Sequence, residues 1–234
     1  MNISNVEIKN IVNELCEKIC IINNTYKMNS LNSQNDKRIA SIKQKGIEWV
    51  DKIELNTHTK PGSLTYLLFG EKPSNQSINI KIGKLGEYLS KELIKTNNNL
   101  ELMMCGVQKI NEKKKDIDLL FKNKINKTLH YYELKGNIEL DTEKLPATIN
   151  KCKEIEKSLK ETYSEYSIIC RILNWSVYNR KILKAGLSNI KVFESKGMKI
   201  EHMEDFLKTI DIVWDENDYY SYFREIGNKI ECKF

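Results

Sequence analysis

Features that define several common functional classes are missing from this sequence. No apolar run reaches the roughly 20 residues that a membrane-spanning helix requires, and the opening segment MNISNVEIKNIVNELCEKIC has no secretion-signal pattern. The sequence also lacks a Gly-rich phosphate loop, a GxSxG motif, an HExxH motif and the spacing of a zinc finger. We therefore expect a cytoplasmic protein that has no membrane partner and does not belong to these nucleotide-binding, hydrolase or zinc-dependent classes.

The cysteines do not form the framework of a disulfide-rich protein or of a zinc site. No CxxC pair occurs, and scattered thiols in a chain of 234 residues are typical of reduced proteins. Cys16 and Cys20 share one face of a predicted helix, but no histidine lies nearby to complete a metal site. We interpret these two cysteines as core residues.

Composition permits a globular fold and leaves the partner open. Hydrophobic residues make up 40% and charged residues 30% of the chain, which is enough apolar material for a core. The net charge of +6 is distributed along the chain instead of being concentrated in a tail. Such a basic excess is compatible with a polyanionic partner without proving one.

The first part of the chain shows helical periodicity with polar interruptions. Apolar residues recur at helical spacing over 4–22 and again over 36–53. The Asn- and Ser-rich stretch between them, 23–35, predicts a loop. LTYLLF (64–69) favours a short strand, and the polar segment 70–77 favours a second loop. We predict a helical N-terminal region over 1–53 and connecting loops over 54–81.

Helix and strand patterns alternate from residue 82 onward. A predicted helix precedes three strand candidates, the last two joined by a polar hairpin turn; a helix with Pro146 in its first turn and a buried strand follow. A short strand and two further helices complete the order. The predicted helices cover 82–96, 146–163, 201–210 and 216–230, and the predicted strands cover 100–107, 116–122, 129–138, 167–173 and 190–194. This order predicts an α/β fold, in which 82–234 form a mixed central β-sheet flanked by helices.

Two neighbouring strand candidates present charged side chains on one face. Because side chains alternate along a strand, Asp116 and Asp118 share a face of the first candidate, and Glu133 and Lys135 share a face of the second. If these strands pair, Asp118, Glu133 and Lys135 converge. Two carboxylates suit a hard divalent cation such as Mg²⁺, which would supply Lewis acidity for phosphodiester hydrolysis. Lys135 would stabilise the developing negative charge or orient the attacking water.

These residues resemble a known nuclease signature. DIDLLF (116–121) and YYELKGN (131–137) together are similar to the PD-(D/E)xK motif, which is found in most type II restriction endonucleases and in some resolvases and repair nucleases. The resemblance implies that Asp118 is the motif aspartate, that Glu133 and Lys135 form the ExK half, and that an αβββαβ core covers about 82–175. Ile117 replaces the motif proline, which leaves Asp116 as a competing ligand, but the apolar run after Asp118 favours Asp118.

Further residues have two interpretations each. Glu87 matches the position where many members of the superfamily place an additional acidic metal ligand, and it could equally be a solvated helix residue. Asp141 could approach a phosphate or cap the following helix. The segments 70–81 and 174–184 mix basic residues with Asn, Ser and Tyr, which can bond phosphates and base edges, or they are solvated loops.

The sequence therefore favours a Mg²⁺-dependent type II restriction endonuclease that cleaves double-stranded DNA at a short specific site. Cleavage of both strands at a symmetric site predicts a homodimer, with the N-terminal helices or the predicted helix over 216–230 at the interface. A repair or junction-resolving nuclease of the same superfamily is the first alternative. A non-catalytic DNA-binding module is the second.

Overall fold

A computed structural model describes residues 5–54, 60–71, 73, 75–110 and 112–233. The chain divides into two compact units, Met1–Ser41 and Ile42–Phe234. The boundary between them lies inside the first helix and before the predicted end of the helical region at residue 53. Within these ranges, no helix combines the length and the hydropathy that spanning a bilayer requires.

The first unit contains most of helix α1, which runs from Asn5 to Lys52 without interruption. The prediction of a loop over 23–35 is wrong. That stretch contains neither Pro nor Gly, and its Asn and Ser residues each disfavour a helix by at most about 0.7 kcal/mol. The side chains of Cys16 and Cys20 lie outside the described part of the chain, so the core interpretation of these residues stays a prediction.

The second unit contains the remaining helices and all seven described strands. The helices are α2 (Leu64–Phe69), α3 (Asn75–Lys95), α4 (Lys144–Thr162), α5 (Leu187–Ser195), α6 (Met203–Thr209) and α7 (Glu216–Glu231). The strands are β1 (Leu100–Leu102), β2 (Gly106–Ile110), β3 (Lys113–Ile117), β4 (Leu119–Asn123), β5 (Thr128–Lys135), β6 (Ser167–Asn174) and β7 (Lys199–His202).

Five of the strands form one mixed sheet in the order β1-β4-β5-β6-β7. Strand β4 is antiparallel to β1 and β5, whereas β5, β6 and β7 are parallel. The fold is therefore mixed α/β with a helical N-terminal region, as predicted. The order α3, β1, β4, β5, α4, β6 reproduces the expected αβββαβ succession, and the hairpin of β2 and β3 is an unpredicted insertion between β1 and β4.

Strand β5 is the centre of the core, with both of its faces buried. On one face, Tyr131 belongs to an apolar cluster with Cys152 and Ile155 of α4. On the other face, the rings of His130 and Tyr132 lie nearly parallel to that of Phe121, and Tyr132 meets the edge of Phe206. A strand enclosed in this way holds its side chains in fixed positions, including the polar ones.

The predicted strand over 116–122 is two strands that separate at Asp118. Strand β3 pairs with β2, and β4 pairs with β1 and β5. The ladder of β4 with β5 stops at Leu119 opposite Tyr132, and the Asp118 carboxylate then accepts the next backbone N–H, that of Leu134. The predicted strand over 100–107 is likewise interrupted, because the chain ends β1 at Leu102 and starts β2 at Gly106 with a positive φ of 91°.

Two apolar runs predicted as strands are helices instead. The run 64–69 is α2, because the Ser63 side chain accepts the Tyr66 N–H and caps a helical turn. Together with the start of α3 at Asn75, this helix occupies much of the region predicted as connecting loops over 54–81. The run 190–194 belongs to α5, in which Ile190 and Phe193 are buried three positions apart. Such short runs do not distinguish helix from strand by periodicity.

Candidate active site

The structure brings the three sequence-predicted residues together at one end of β4 and β5. Glu133 and Lys135 point to the same face of β5, where the Lys135 Nζ donates to Glu133 Oε1 over 2.9 Å. Asp118 immediately precedes β4, and its Oδ2 accepts the backbone N–H of Leu134 over 2.8 Å. The β4–β5 pairing therefore places the motif aspartate beside the ExK segment.

A fourth residue, Lys151 of α4, completes the cluster and was missed by sequence reasoning. Its Nζ lies 2.6 Å from Glu133 Oε2 and 3.7 Å from Asp118 Oδ1. Lys151 directly precedes Cys152 in the apolar stripe that predicted the inner face of this helix. A long lysine side chain beside such a stripe can reach the sheet, and this neighbourhood was the available signal.

Burial gives the two carboxylates different proton affinities. Asp118 is 8% exposed and Glu133 is 2% exposed. Burial raises the pKa of Asp118 to about 6, and the negative charge of Glu133 adds to this rise. The Lys151 ammonium and the Leu134 N–H lower the same pKa, but by less. Burial would also raise the pKa of Glu133, but the ammonium groups of Lys135 and Lys151 outweigh it and hold that pKa below its usual value.

Tyr131, on the same face of β5, orients Glu133. Its hydroxyl donates to Glu133 Oε2 over 2.9 Å, and Cys152 Sγ lies 3.8 Å from the same hydroxyl. Burial, reinforced by the neighbouring Glu133 carboxylate, raises the pKa of Tyr131 well above its usual value, so the hydroxyl keeps its proton. Glu133 thus accepts hydrogen bonds from Tyr131, Lys135 and Lys151, which fix its orientation.

The donor set suits a small hard cation. The Lys151 ammonium is within ion-pair distance of both Asp118 and Glu133, so one positive charge can contact both carboxylates. Within the described ranges no group of three or more Asp, Glu, His or Cys side chains has the spacing of a metal site. Mg²⁺ commonly uses one or two carboxylates and takes its remaining ligands from water and substrate phosphates. Asp118 and Glu133 therefore fit Mg²⁺, with Lys151 as a competing cation.

Glu87 lies in a separate pair of ion contacts on α3. Its carboxylate is 2.8 Å from Lys84 Nζ and 3.6 Å from Lys91 Nζ, and the structure places neither Asp118 nor Glu133 in contact with it. A hydrogen bond to Glu87 raises the pKa of Lys84 and outweighs the opposing effect of partial burial. The charges of Asp116 and Asp118 add to this rise, so Lys84 interacts electrostatically with Glu87 and with Asp118. Glu87 is therefore close to the site without being part of its contact network.

The other candidate residues have local structural contacts. Asp116 stands opposite Val107 in the β2–β3 pair, outside the β4–β5 ladder. Asp141 Oδ1 accepts the backbone N–H of Lys144 over 2.7 Å and that of Glu143 over 3.2 Å at the entrance of α4. The capping interpretation of Asp141 is thereby supported.

The two segments considered for DNA contacts are partly used by the fold. The segment 70–81 includes the first turns of α3. In 174–184, Arg180 forms a 2.7 Å ion pair with Glu194, and the Asn179 side chain caps a short 3₁₀ turn and donates to Glu216. These contacts favour a structural role for Arg180 and Asn179.

Comparison with known proteins gives no family assignment. No protein-family model matches the chain, and no curated protein is significantly similar to it. The Asp118–Glu133–Lys135–Lys151 cluster is therefore the feature of this chain that bears most directly on function.

Proposed function

We propose that this protein is a Mg²⁺-dependent nuclease that hydrolyses phosphodiester bonds of double-stranded DNA. The proposal depends chiefly on one observation: two buried carboxylates, Asp118 and Glu133, share the Lys151 ammonium, and Lys135 binds Glu133 beside it. The resemblance of 116–121 and 131–137 to the PD-(D/E)xK signature, on an αβββαβ element order, supports it.

A purely structural cluster is the less favourable explanation of this arrangement. Two carboxylates this deeply buried each lose hydration, and their mutual repulsion adds to that cost. Apolar side chains of similar size in their place are often neutral or stabilising. Sites that bind charged ligands commonly contain such perturbed groups, so the raised pKa of Asp118 is consistent with a binding function.

Each residue of the cluster has a defined task in phosphodiester hydrolysis. Asp118 and Glu133 would hold Mg²⁺, which supplies Lewis acidity at the scissile phosphate. Lys135 has a side chain that is 23% exposed, so its Nζ can donate to a phosphate oxygen or orient a water for attack. Lys151, with a side chain 21% exposed, places a second positive charge beside the phosphate as negative charge develops.

The finer assignment is a type II restriction endonuclease that acts as a homodimer. A chain without a motor motif suits an enzyme that cleaves at its recognition site, and a two-fold dimer delivers one active site to each strand. A structure-specific nuclease would instead prefer branched DNA to a linear duplex. The two activities therefore differ in the substrate that the purified protein selects.

Incubation of the purified chain with phage DNA and Mg²⁺, followed by sequencing of the fragment ends, tests both the nuclease activity and the finer assignment to restriction. Discrete fragments with a common sequence at their ends support restriction, and Asp118→Ala and Glu133→Ala should cleave nothing while retaining DNA binding. Glu156→Gln removes an acidic residue on α4 whose carboxylate pairs with Lys160, and it should cleave as the wild type does. Full cleavage by both alanine variants would remove the metal-site argument.

A further inference from the structure

The β2–β3 hairpin has one face in the core and one face in solvent. Ile110 and Ile117 lie on the inner face and belong to the apolar cluster that includes α4. Because side chains alternate along each strand, Val107, Lys109, Lys114 and Asp116 lie on the opposite face, where the first three are exposed and Asp116 is half-buried. The hairpin is thus held by the core while it presents two exposed lysines outward.

Lys109 and Lys114 stand directly opposite each other in the register of this hairpin. Like charges in this arrangement destabilise a strand pair, by roughly 0.2 to 1 kcal/mol. Among the described residues no carboxylate lies within ion-pair distance of either ammonium, whereas Lys115 on the inner face is 2.6 Å from Glu154. Asp116 lies on the same face, two positions from Lys114, without an ion pair to either lysine, so no direct contact among the described residues offsets the repulsion.

The hairpin is joined directly to the candidate active site. Strand β3 ends at Ile117, and the next residue is Asp118. Lys114 is four positions from Asp118, a distance of about 13 Å at the rise of an extended strand. Each strand of a DNA duplex places one phosphate per about 3.4 Å of helix axis, so a duplex cleaved at Asp118 would pass the lysine pair within a few base pairs.

We propose that the outer face of the β2–β3 hairpin binds DNA backbone phosphates beside the cleaved bond, through Lys109 and Lys114. The proposal rests on the proposed nuclease function for the position of the duplex. A two-stranded ribbon has the dimensions to enter the major groove, and Val107, 68% exposed on the same face, can make apolar contact there. Backbone phosphates then neutralise the lysine pair that the fold leaves unpaired.

Duplex DNA of mixed sequence is the appropriate probe, because phosphate contacts do not depend on sequence. Fluorescence anisotropy of a labelled duplex would measure binding over a range of KCl concentrations, with Ca²⁺ replacing Mg²⁺ to prevent cleavage. The test variant is Lys109→Gln/Lys114→Gln in the full chain. The matched control is Lys124→Gln/Lys127→Asn, which removes two exposed lysines from the β4–β5 turn, at the other end of β4.

Loss of two phosphate contacts has a characteristic salt signature. The slope of log K against log [KCl] should become less steep by about 2 in the hairpin variant, with binding weakened roughly ten- to fifty-fold near 0.1 M salt. The control should keep the wild-type slope. Equal slopes in all three proteins, or an equal decrease in both variants, would overturn the proposal.

Lys114→Glu separates binding from folding. The new glutamate lies opposite Lys109 and replaces a repulsive cross-strand pair with an attractive one, so the thermal midpoint should rise by roughly 1 to 3 °C. DNA binding should nevertheless weaken. A lower midpoint together with unchanged DNA binding would show that the lysine pair serves the fold and would overturn the proposal.

The outcomes also distinguish this proposal from the proposed nuclease function. If the wild type binds DNA through the hairpin but never cleaves with Mg²⁺, the hairpin site stands and the nuclease assignment fails. If the wild type cleaves while the hairpin variant binds as tightly as the wild type does, only the hairpin site fails. A wild type that does not bind duplex DNA contradicts both.

Discussion

Two buried glutamates in the same sheet have different surroundings. Glu201 of β7 is 6% exposed and is a single carboxylate. It accepts the Tyr132 hydroxyl over 2.8 Å and the Arg171 Nε over 3.2 Å, and Lys199 Nζ lies 3.1 Å away. In this Glu201 cluster the positive charges exceed the negative charge, so the carboxylate is well compensated.

Glu133 is equally buried but shares its surroundings with a second acid. Lys135 and Lys151 both bind Glu133, and Asp118 is left with a backbone N–H and a more distant Lys151 contact of 3.7 Å. The pKa of Asp118 is accordingly raised to about 6. Glu201 thus has more positive than negative charge around it, whereas Asp118 shares its cations with Glu133 and stays under-compensated, as expected of an acid that binds a cation in the proposed site.

The strongest test of this contrast is Asp118→Asn. Cleavage should fall by roughly 10³-fold, because the ion loses a charged ligand, while the free energy of unfolding at pH 7 rises by about 1–2 kcal/mol because one of two buried like charges is gone. Single-turnover cleavage and urea unfolding in EDTA would measure these effects. Asp116→Asn should lose less activity, and the reverse ranking would show that Asp116 is the ligand.

The stability effect of Asp118 has a defined pH dependence. Its pKa in the folded protein, about 6, exceeds the ordinary value of 3.8, so the folded state binds the proton more tightly. Asp118 therefore reduces stability as the pH rises through the window from about 4 to 6. Asp118→Asn should remove this decline, and a steeper decline in the variant would contradict the argument.

Lys151→Met should lower cleavage by roughly 10²-fold, because it removes positive charge beside the phosphate. It also leaves the two carboxylates with less compensation, so we expect the metal-free variant to be less stable by about 1–3 kcal/mol. Mg²⁺ should recover more stability in this variant than in the wild type, since the ion replaces the lost ammonium. Thermal unfolding with and without Mg²⁺ measures this, and an equal Mg²⁺ effect on both proteins would exclude a shared cation position.

Glu201→Gln should show the opposite combination. Loss of the carboxylate leaves Arg171 without its charged partner, and we expect the free energy of unfolding to fall by about 1–3 kcal/mol. The contact with Lys199 adds little to this value, because the Lys199 side chain is 59% exposed and solvent screens its charge. Cleavage, measured well below the unfolding transition, should stay close to that of the wild type. A large loss of activity without loss of stability would place Glu201 in the active site.

The smallest expected effect concerns His130, whose ring stacks on Phe121 beside the Glu201 cluster. Burial lowers the pKa of His130 to about 4 from 6.5, so the unfolded chain binds the proton more tightly and stability falls as the pH drops from about 6.5 to 4. His130→Phe should reduce this acid-dependent loss by roughly 1–2 kcal/mol. Urea unfolding at pH 7 and at pH 4.5 measures it; an unchanged difference would exclude His130 as the cause.

Sequence reasoning located features that depend on local periodicity. The alternation that placed Glu133 and Lys135 on one face holds because β5 is long and enclosed on both sides. The apolar stripe of α4 and the continuous apolar run of β6 were recognisable for the same reason. In these segments burial of the apolar residues and the local pattern favour the same structure.

Features that depend on distant contacts were not predictable. The break at Asp118 arises because its carboxylate replaces a ladder bond to Leu134, and that exchange exists only after β4 and β5 have paired. The insertion of β2 and β3 depends on pairing with each other and on packing against α4. The contact of Lys151 with both acids likewise depends on how α4 docks on the sheet.

Helix α4 connects the β2–β3 hairpin directly to the Asp118–Glu133–Lys135–Lys151 cluster. Lys151 contacts the carboxylates, and Glu154, three positions later and so on the same side of the helix, holds Lys115 of the hairpin. Any sliding or rotation of α4 as a rigid rod must displace both contacts together. Strain that a partner exerts on the hairpin would therefore reach Glu133 through less than one turn of helix, without a hinge between them.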